Sequence, residues 1–124
     1  MQNDHLTEQI IGCCFKVHKE LGTGFPERIY QSALEQALKE SRIPFASEKA
    51  FRVNFQDVQV GSFKVDLLVE SRVVVEVKAV TVFLPKVFEA QVVAYLKAAD
   101  LPVGLLVNFG NTSCQVRRLV RRSQ

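Results

Sequence analysis

The sequence predicts an α/β fold, a sandwich of helices on a sheet, and three observations carry that prediction. Apolar residues recur at helical spacing in three segments. Five other segments are rich in valine, phenylalanine and leucine and are bounded by turn-like residues. Along the 124 residues the order is α-α-β-β-β-α-β-β, which interleaves the two kinds of element.

The first helix is expected from Thr7 to Leu21. Ile10, Ile11, Cys14, Phe15, Val17 and Leu21 form its stripe, and Gly22 with Gly24 breaks it. Pro26 suits the first turn of a second helix, whose stripe of Ile29, Tyr30, Ala33, Leu34, Ala37 and Leu38 runs on until Pro44. Strands are expected over residues 45–55, 58–69, 73–80, 103–109 and 115–120. Between the third and fourth of them, Phe88, Val92, Tyr95, Leu96 and Ala99 share one face of a helix over 85–99. The strand "VGLLVNF" is apolar enough to be central and covered on both faces.

The length suits one domain, 1–124, and 48% hydrophobic content is enough for a core without staples. The opening "MQNDHLTEQ" lacks the order of a signal peptide, and charges interrupt every apolar run, so a soluble, cytoplasmic protein without membrane contact is expected. Cys13, Cys14 and Cys114 have no CxxC spacing and read as free thiols, and neither His5 nor His18 sits at a spacing that would make a zinc site with them. Residues 1–99 balance 12 basic against 12 acidic side chains, so the net charge of +3 arises from Asp100 onward, through Arg117, Arg118, Arg121 and Arg122. That arginine cluster suits phosphates and equally suits a solvated tail.

The stretch "FKVDLLVESRVVVEVKAV", residues 63–80, places charges inside a valine-rich hairpin. If Val69 faces Val73 across "ESR", one face is Val65, Leu67, Val69, Val73, Val75 and Val77. The other carries Asp66 opposite Glu76 and Lys64 opposite Lys78. Like charges across a ladder repel, so the carboxylate pair needs an offset. A divalent cation with oxygen ligands, Mg²⁺ or Mn²⁺, supplies it, with Lys78 on the same side to stabilise a phosphate or hold water. In the other reading Asp66 lies at a solvated edge and pairs with Lys64 or Lys78.

Asp66, nine residues and then Glu76-Val77-Lys78 resembles the core of the PD-(D/E)xK nuclease superfamily. "GFPERIY", residues 24–30, resembles the GxxExxY pattern of one small family within it, and "QVVAY", residues 91–95, resembles the QxxxY motif of RecB-like members. The resemblance implies a restriction-endonuclease-like αβββαβ core, a mixed sheet flanked by helices, with an extra N-terminal helix. It also implies a Mg²⁺-dependent nuclease acting on DNA. Asp66, Glu76 and the Val77 carbonyl would hold the metal, Lys78 would orient water, and Glu27 would add an acid from the second helix. Gln91 and Tyr95 would line the site, and His18 resembles the histidine that some RecB-like nucleases add to the metal. Val65 stands where the superfamily has its proline.

Each of these added residues has a plainer reading. Glu27 suits a first helical turn through the helix dipole, Tyr95 suits the core, and His18 suits a helix C-terminus. Arg117 and Arg118 would reach the nucleic-acid backbone. An accessory module that binds nucleic acid or protein and keeps the fold without catalysis is the alternative, and the small surface favours a homodimer or a larger partner. A small-molecule acid/base hydrolase lacks any nucleophile or phosphate-loop motif.

Overall fold

A computed structural model describes residues 2–121, with side chains from residue 5 onward. The elements are α1 (Gln2–Leu21), α2 (Glu27–Glu40), β1 (Phe45–Phe55), β2 (Val58–Val69), β3 (Val73–Lys78), α3 (Lys86–Ala99), β4 (Val103–Asn108) and β5 (Gln115–Val120). Their order is the expected one. Some ends differ: α1 begins five residues earlier, α3 begins one residue later, at Lys86, and β3 and β4 stop short, at Lys78 and Asn108. Pro26 and Pro85 sit as N-caps, because a residue without an N–H costs nothing at a helix start.

The strands lie side by side in the order β1-β2-β3-β4-β5, antiparallel except for the β3–β4 pair. That parallel pair needs a long crossover, and α3 supplies it. Helices α1 and α2 cover one face, where Ile10, Cys14, Tyr30, Leu34 and Leu38 meet Leu67, Val75, Leu105 and Val107. Helix α3 covers the other, with Val92 and Leu96 on Leu68, Val74 and Leu106. Each of these wholly buried aliphatic side chains contributes about 2 kcal/mol. All of β4 is buried, as its apolar run predicts.

Some expected core residues are elsewhere. Phe15 is 51% exposed on the outer side of α1. Val65, expected on the face with Leu67, packs instead with Leu68 and Val74 under α3. The cause is local. Glu48 has a φ of 55° inside β1, and the pair it would make with Asp66 is missing from the β1–β2 register, which shifts only between Val53 and Asn54. Beyond that point Phe51 and Phe63 turn toward α3, where Phe63 stacks on Tyr95 with ring centres 4.2 Å apart. The hairpin then runs on as an exposed arm to the turn at Gln56 and Asp57, both with positive φ as a two-residue turn demands.

Candidate active site

Near their turn β2 and β3 pair in the predicted register, Val69 with Val73, Leu68 with Val74 and Leu67 with Val75. There the ladder stops. Toward the arm β2 stays with β1, while β3 stays with β4, so the sheet splits between Asp66 and Glu76. Separation of two strands leaves backbone N–H groups that must find acceptors. The Asp66 N–H donates to Glu76 Oε2 at 2.7 Å, and the Val77 N–H donates to Asp66 Oδ2 at 2.8 Å. Each carboxylate replaces a ladder carbonyl on the strand opposite. Lys64 and Lys78 do not face each other: Lys64 pairs with Ala50 on β1 and Lys78 with Asn108 on β4.

No ion pair joins Asp66 or Glu76 to a described lysine or arginine, which removes the solvated-edge salt bridge. The remaining oxygens, Asp66 Oδ1 and Glu76 Oε1, accept no hydrogen bond from a described residue. Glu76 is 5% exposed, and burial, then the Asp66 charge, push its carboxyl up to about 7. Asp66 is also raised by burial, opposed by the Val77 N–H, with Glu48 raising it further, Lys78 lowering it and Glu27 raising it. Lys78 extends from the same face of β3 as Glu76 and rests its Nζ 4.5 Å from the centre of the Phe88 ring on α3.

The structure brings Glu27 to this place, since its charge raises both core carboxyls. Its motif neighbours are architectural. Gly24 has a φ of 110°, and the buried Tyr30 donates to the Gly22 carbonyl at 2.6 Å and stacks on Phe109. Tyr95 is near as well, its hydroxyl raised by burial and then by the charges of Glu76 and Asp66. Gln91 is exposed one turn earlier on α3. The Nε2 of His18 donates to the Asn111 carbonyl at 2.8 Å.

The arginines do not form one patch. Arg117 lies across from Leu106, in the row that holds Glu76, and pairs with Glu89 on α3. Arg118 is on the opposite face, Arg121 pairs with Asp100, and Arg122 lies outside the described residues.

Two residues escape the motif reading. Gln31 donates from Nε2 to the Asp66 carbonyl at 3.2 Å and to Glu48 Oε2 at 3.0 Å, which pins the left-handed turn of β1 beside the site. The Glu27, Gln31, Glu35 spacing, one helical turn each, was the available signal for a polar face on α2. Nothing in the sequence marks Glu48, whose position depends on an irregular β1 backbone.

Among the described residues no group of three or more His, Cys, Asp or Glu side chains forms a metal cage. The two core carboxylates nevertheless fit a hard divalent cation, which accepts carboxylate and main-chain oxygens and keeps several waters. One main-chain N–H apiece and the Lys78 charge offset part of their burial and repulsion, yet both carboxyls stay raised, which a bound cation would relieve.

A mixed sheet that splits between two acidic strands, with a lysine beside the gap and helices on both faces, is a restriction-endonuclease-like fold. The sequence profile described as the PD-(D/E)XK nuclease superfamily matches residues 4–121. The chain belongs to that superfamily. The solved structure titled "Crystal structure of SSO0001" superposes with a TM-score of 0.63 at 18% identity over 78% of this chain, and at that identity the likeness shows the fold alone. The chain spans about half the length of that structure, whose coverage is 50%. No curated protein matches the chain.

Proposed function

We propose that the chain is a Mg²⁺-dependent nuclease of the GxxExxY kind, with Mn²⁺ as a substitute, that hydrolyses phosphodiester bonds in DNA. The Asp66–Glu76 pair at the split of the sheet carries this reading: burial and the Asp66 charge raise Glu76, and no described lysine or arginine forms an ion pair with either carboxylate. Asp66, Glu76 and the Val77 carbonyl would hold the cation. When bound, it supplies Lewis-acid polarisation of the scissile phosphate and neutralises the charge that builds there.

Lys78 shares the face of Glu76, and its ammonium orients the attacking water. Glu27 adds negative charge at the mouth of the cleft, while Gln91, Tyr95 and Arg117 lie on the α3 side where a strand would pass. Arg118, on the other face, serves a second strand or a partner. His18 donates from Nε2 to the Asn111 carbonyl, which leaves Nδ1 as the nitrogen that could join the metal set. A second copy or a larger partner would widen the grip on a duplex.

The test is calorimetric titration of Mg²⁺ and Mn²⁺ into wild type, Asp66→Asn and Glu76→Gln, with the same samples incubated with single- and double-stranded DNA and RNA. Wild type is expected to bind cation and cut DNA, and each variant to lose at least ~100-fold in rate. Cation binding that depends on Asp66 without cleavage of any substrate would leave the accessory-module alternative standing. A wild type that binds no cation overturns the site.

A further inference from the structure

The strand that carries Lys78 continues into a loop, 79–85, in which two apolar residues face outward before the buried Leu84: Val82 is 60% and Phe83 81% exposed. Such a loop ordinarily tucks its aromatic ring away. Here the backbone is fixed with the ring outside. Asn108, itself fully buried, donates to the Val80 carbonyl at 3.0 Å and accepts the Val80 N–H at 2.8 Å. Asn111 donates to the Val82 carbonyl at 3.2 Å. Between this loop and the one after β4 lies a groove of about 420 Å³, flanked by Phe83 and Thr81 on one side and by Asn111, Thr112 and Ser113 on the other. Both loops leave from the level of Lys78: Thr81 follows it by three residues, and the Phe109 N–H that opens the second loop donates to the Lys78 carbonyl.

The groove's chemistry selects its occupant. It has no charged lining residue, so it has no counter-charge for a phosphate or a carboxylate. The hydroxyls of Thr81, Thr112 and Ser113 make no hydrogen bond to a described residue, which leaves three small donor-acceptor groups facing one exposed ring. A flat heteroaromatic ring with a hydrogen-bonding edge uses both features. A protein partner would need roughly 800 Å² of surface, far more than one ring and three hydroxyls offer.

We propose that Phe83 and this groove hold an unstacked nucleobase of the strand being cut, so that the site takes single-stranded or locally unpaired nucleic acid. The inference rests on the nuclease reading for its ligand. A base paired within a duplex cannot offer its face to Phe83, so intact duplex is the poorer ligand.

The test reads binding apart from cleavage: fluorescence anisotropy of a short labelled DNA single strand, and of the same strand annealed, with Ca²⁺ in place of Mg²⁺. Wild type, Phe83→Ala and Phe83→Tyr are compared, and the strand is scanned with an abasic nucleotide. The expected result is preference for the single strand, a loss of ~5- to 150-fold in Phe83→Ala, and recovery in Phe83→Tyr. One abasic position should lower wild-type affinity and leave Phe83→Ala unchanged. Affinity that is indifferent to Phe83, no abasic position with an effect, or a wild-type dimer that Phe83→Glu dissociates would each overturn the proposal. Phe83-dependent strand binding in a protein that never cuts would uphold the groove while the nuclease reading fails. Cleavage by a protein whose binding ignores Phe83 separates them the other way.

Discussion

Glu76 is where the sequence's oddity becomes a measurable property. A glutamate on a valine strand is legible as a candidate functional group, because carrying a carboxylate into a sheet interior costs its hydration. In the fold that carboxyl titrates at about 7 against an ordinary 4.5, because it is buried and faces Asp66. The folded chain therefore holds a proton that the unfolded chain releases earlier. This group's stabilising share is full below the ordinary value and is lost as pH rises through about 7. Glu76→Gln mimics the protonated acid and lacks that loss. In urea titrations without divalent cation, the stability of wild type relative to Glu76→Gln is expected to fall by roughly 2–3 kcal/mol between about pH 5 and pH 8. A difference that stays flat across that range would mean that Glu76 is ionised throughout. Tyr30 shows the limit of motif reading at this scale. Its spacing from Glu27 was visible, yet its hydroxyl serves the Gly22 carbonyl and its ring the core.

At the scale of elements, hydrophobic period and turn residues were enough to place all three helices and all five strands. The register of β2 on β3 also followed from the short turn between them. What the pattern did not reveal was the split. Strict alternation puts Val65 with Leu67, but the left-handed Glu48 and the missing pair at Asp66 turn the outer half of the hairpin toward α3. Such a change of face arises from backbone geometry that apolar spacing does not encode. Two glycines on and after β4 give this level its prediction. A Cβ at Gly104 would lie 2.8 Å from Val92 Cγ1, a side chain able to rotate, whereas one at Gly110 would lie 2.3 Å from the Val80 carbonyl oxygen. Thermal unfolding should therefore show Gly110→Ala destabilised by about 3 kcal/mol and Gly104→Ala by about 1 kcal/mol. The reverse order would mean that the loop after β3 yields more readily than the α3–β4 packing.

Over the whole molecule, the formal charge of +3 was a poor guide, since the arginines that produce it are shared between two faces and two ion pairs. The cleft has the opposite sign: Glu48 and Glu27 both act on Asp66, Asp66 and Glu27 act on Glu76, and among the described residues Lys78 is the one cation that acts on either core carboxyl. A polyanion approaching it meets repulsion until cations arrive. DNA binding to Asp66-intact protein is therefore expected to be roughly tenfold or more tighter in Ca²⁺ than in chelator, at matched ionic strength. Equal affinity in the two buffers would place the contact surface away from the cleft. No described helix is long and apolar enough to cross a membrane, which is as far as the helices speak on location.

The crossed hydrogen bonds at the split also bear on how the protein tolerates loss of activity. Asp66 and Glu76 close the seam where two strand pairs diverge through Oδ2 and Oε2, so on the proposed reading one pair of carboxylates serves both the sheet and the cation. An aliphatic replacement at either position is expected to silence the proposed site and also orphans a main-chain donor on the facing strand, so its phenotype would mix two defects. An amide keeps the acceptor and removes the charge. A descendant of this chain that abandoned catalysis but kept its sheet would thus be expected to carry asparagine or glutamine at these two positions.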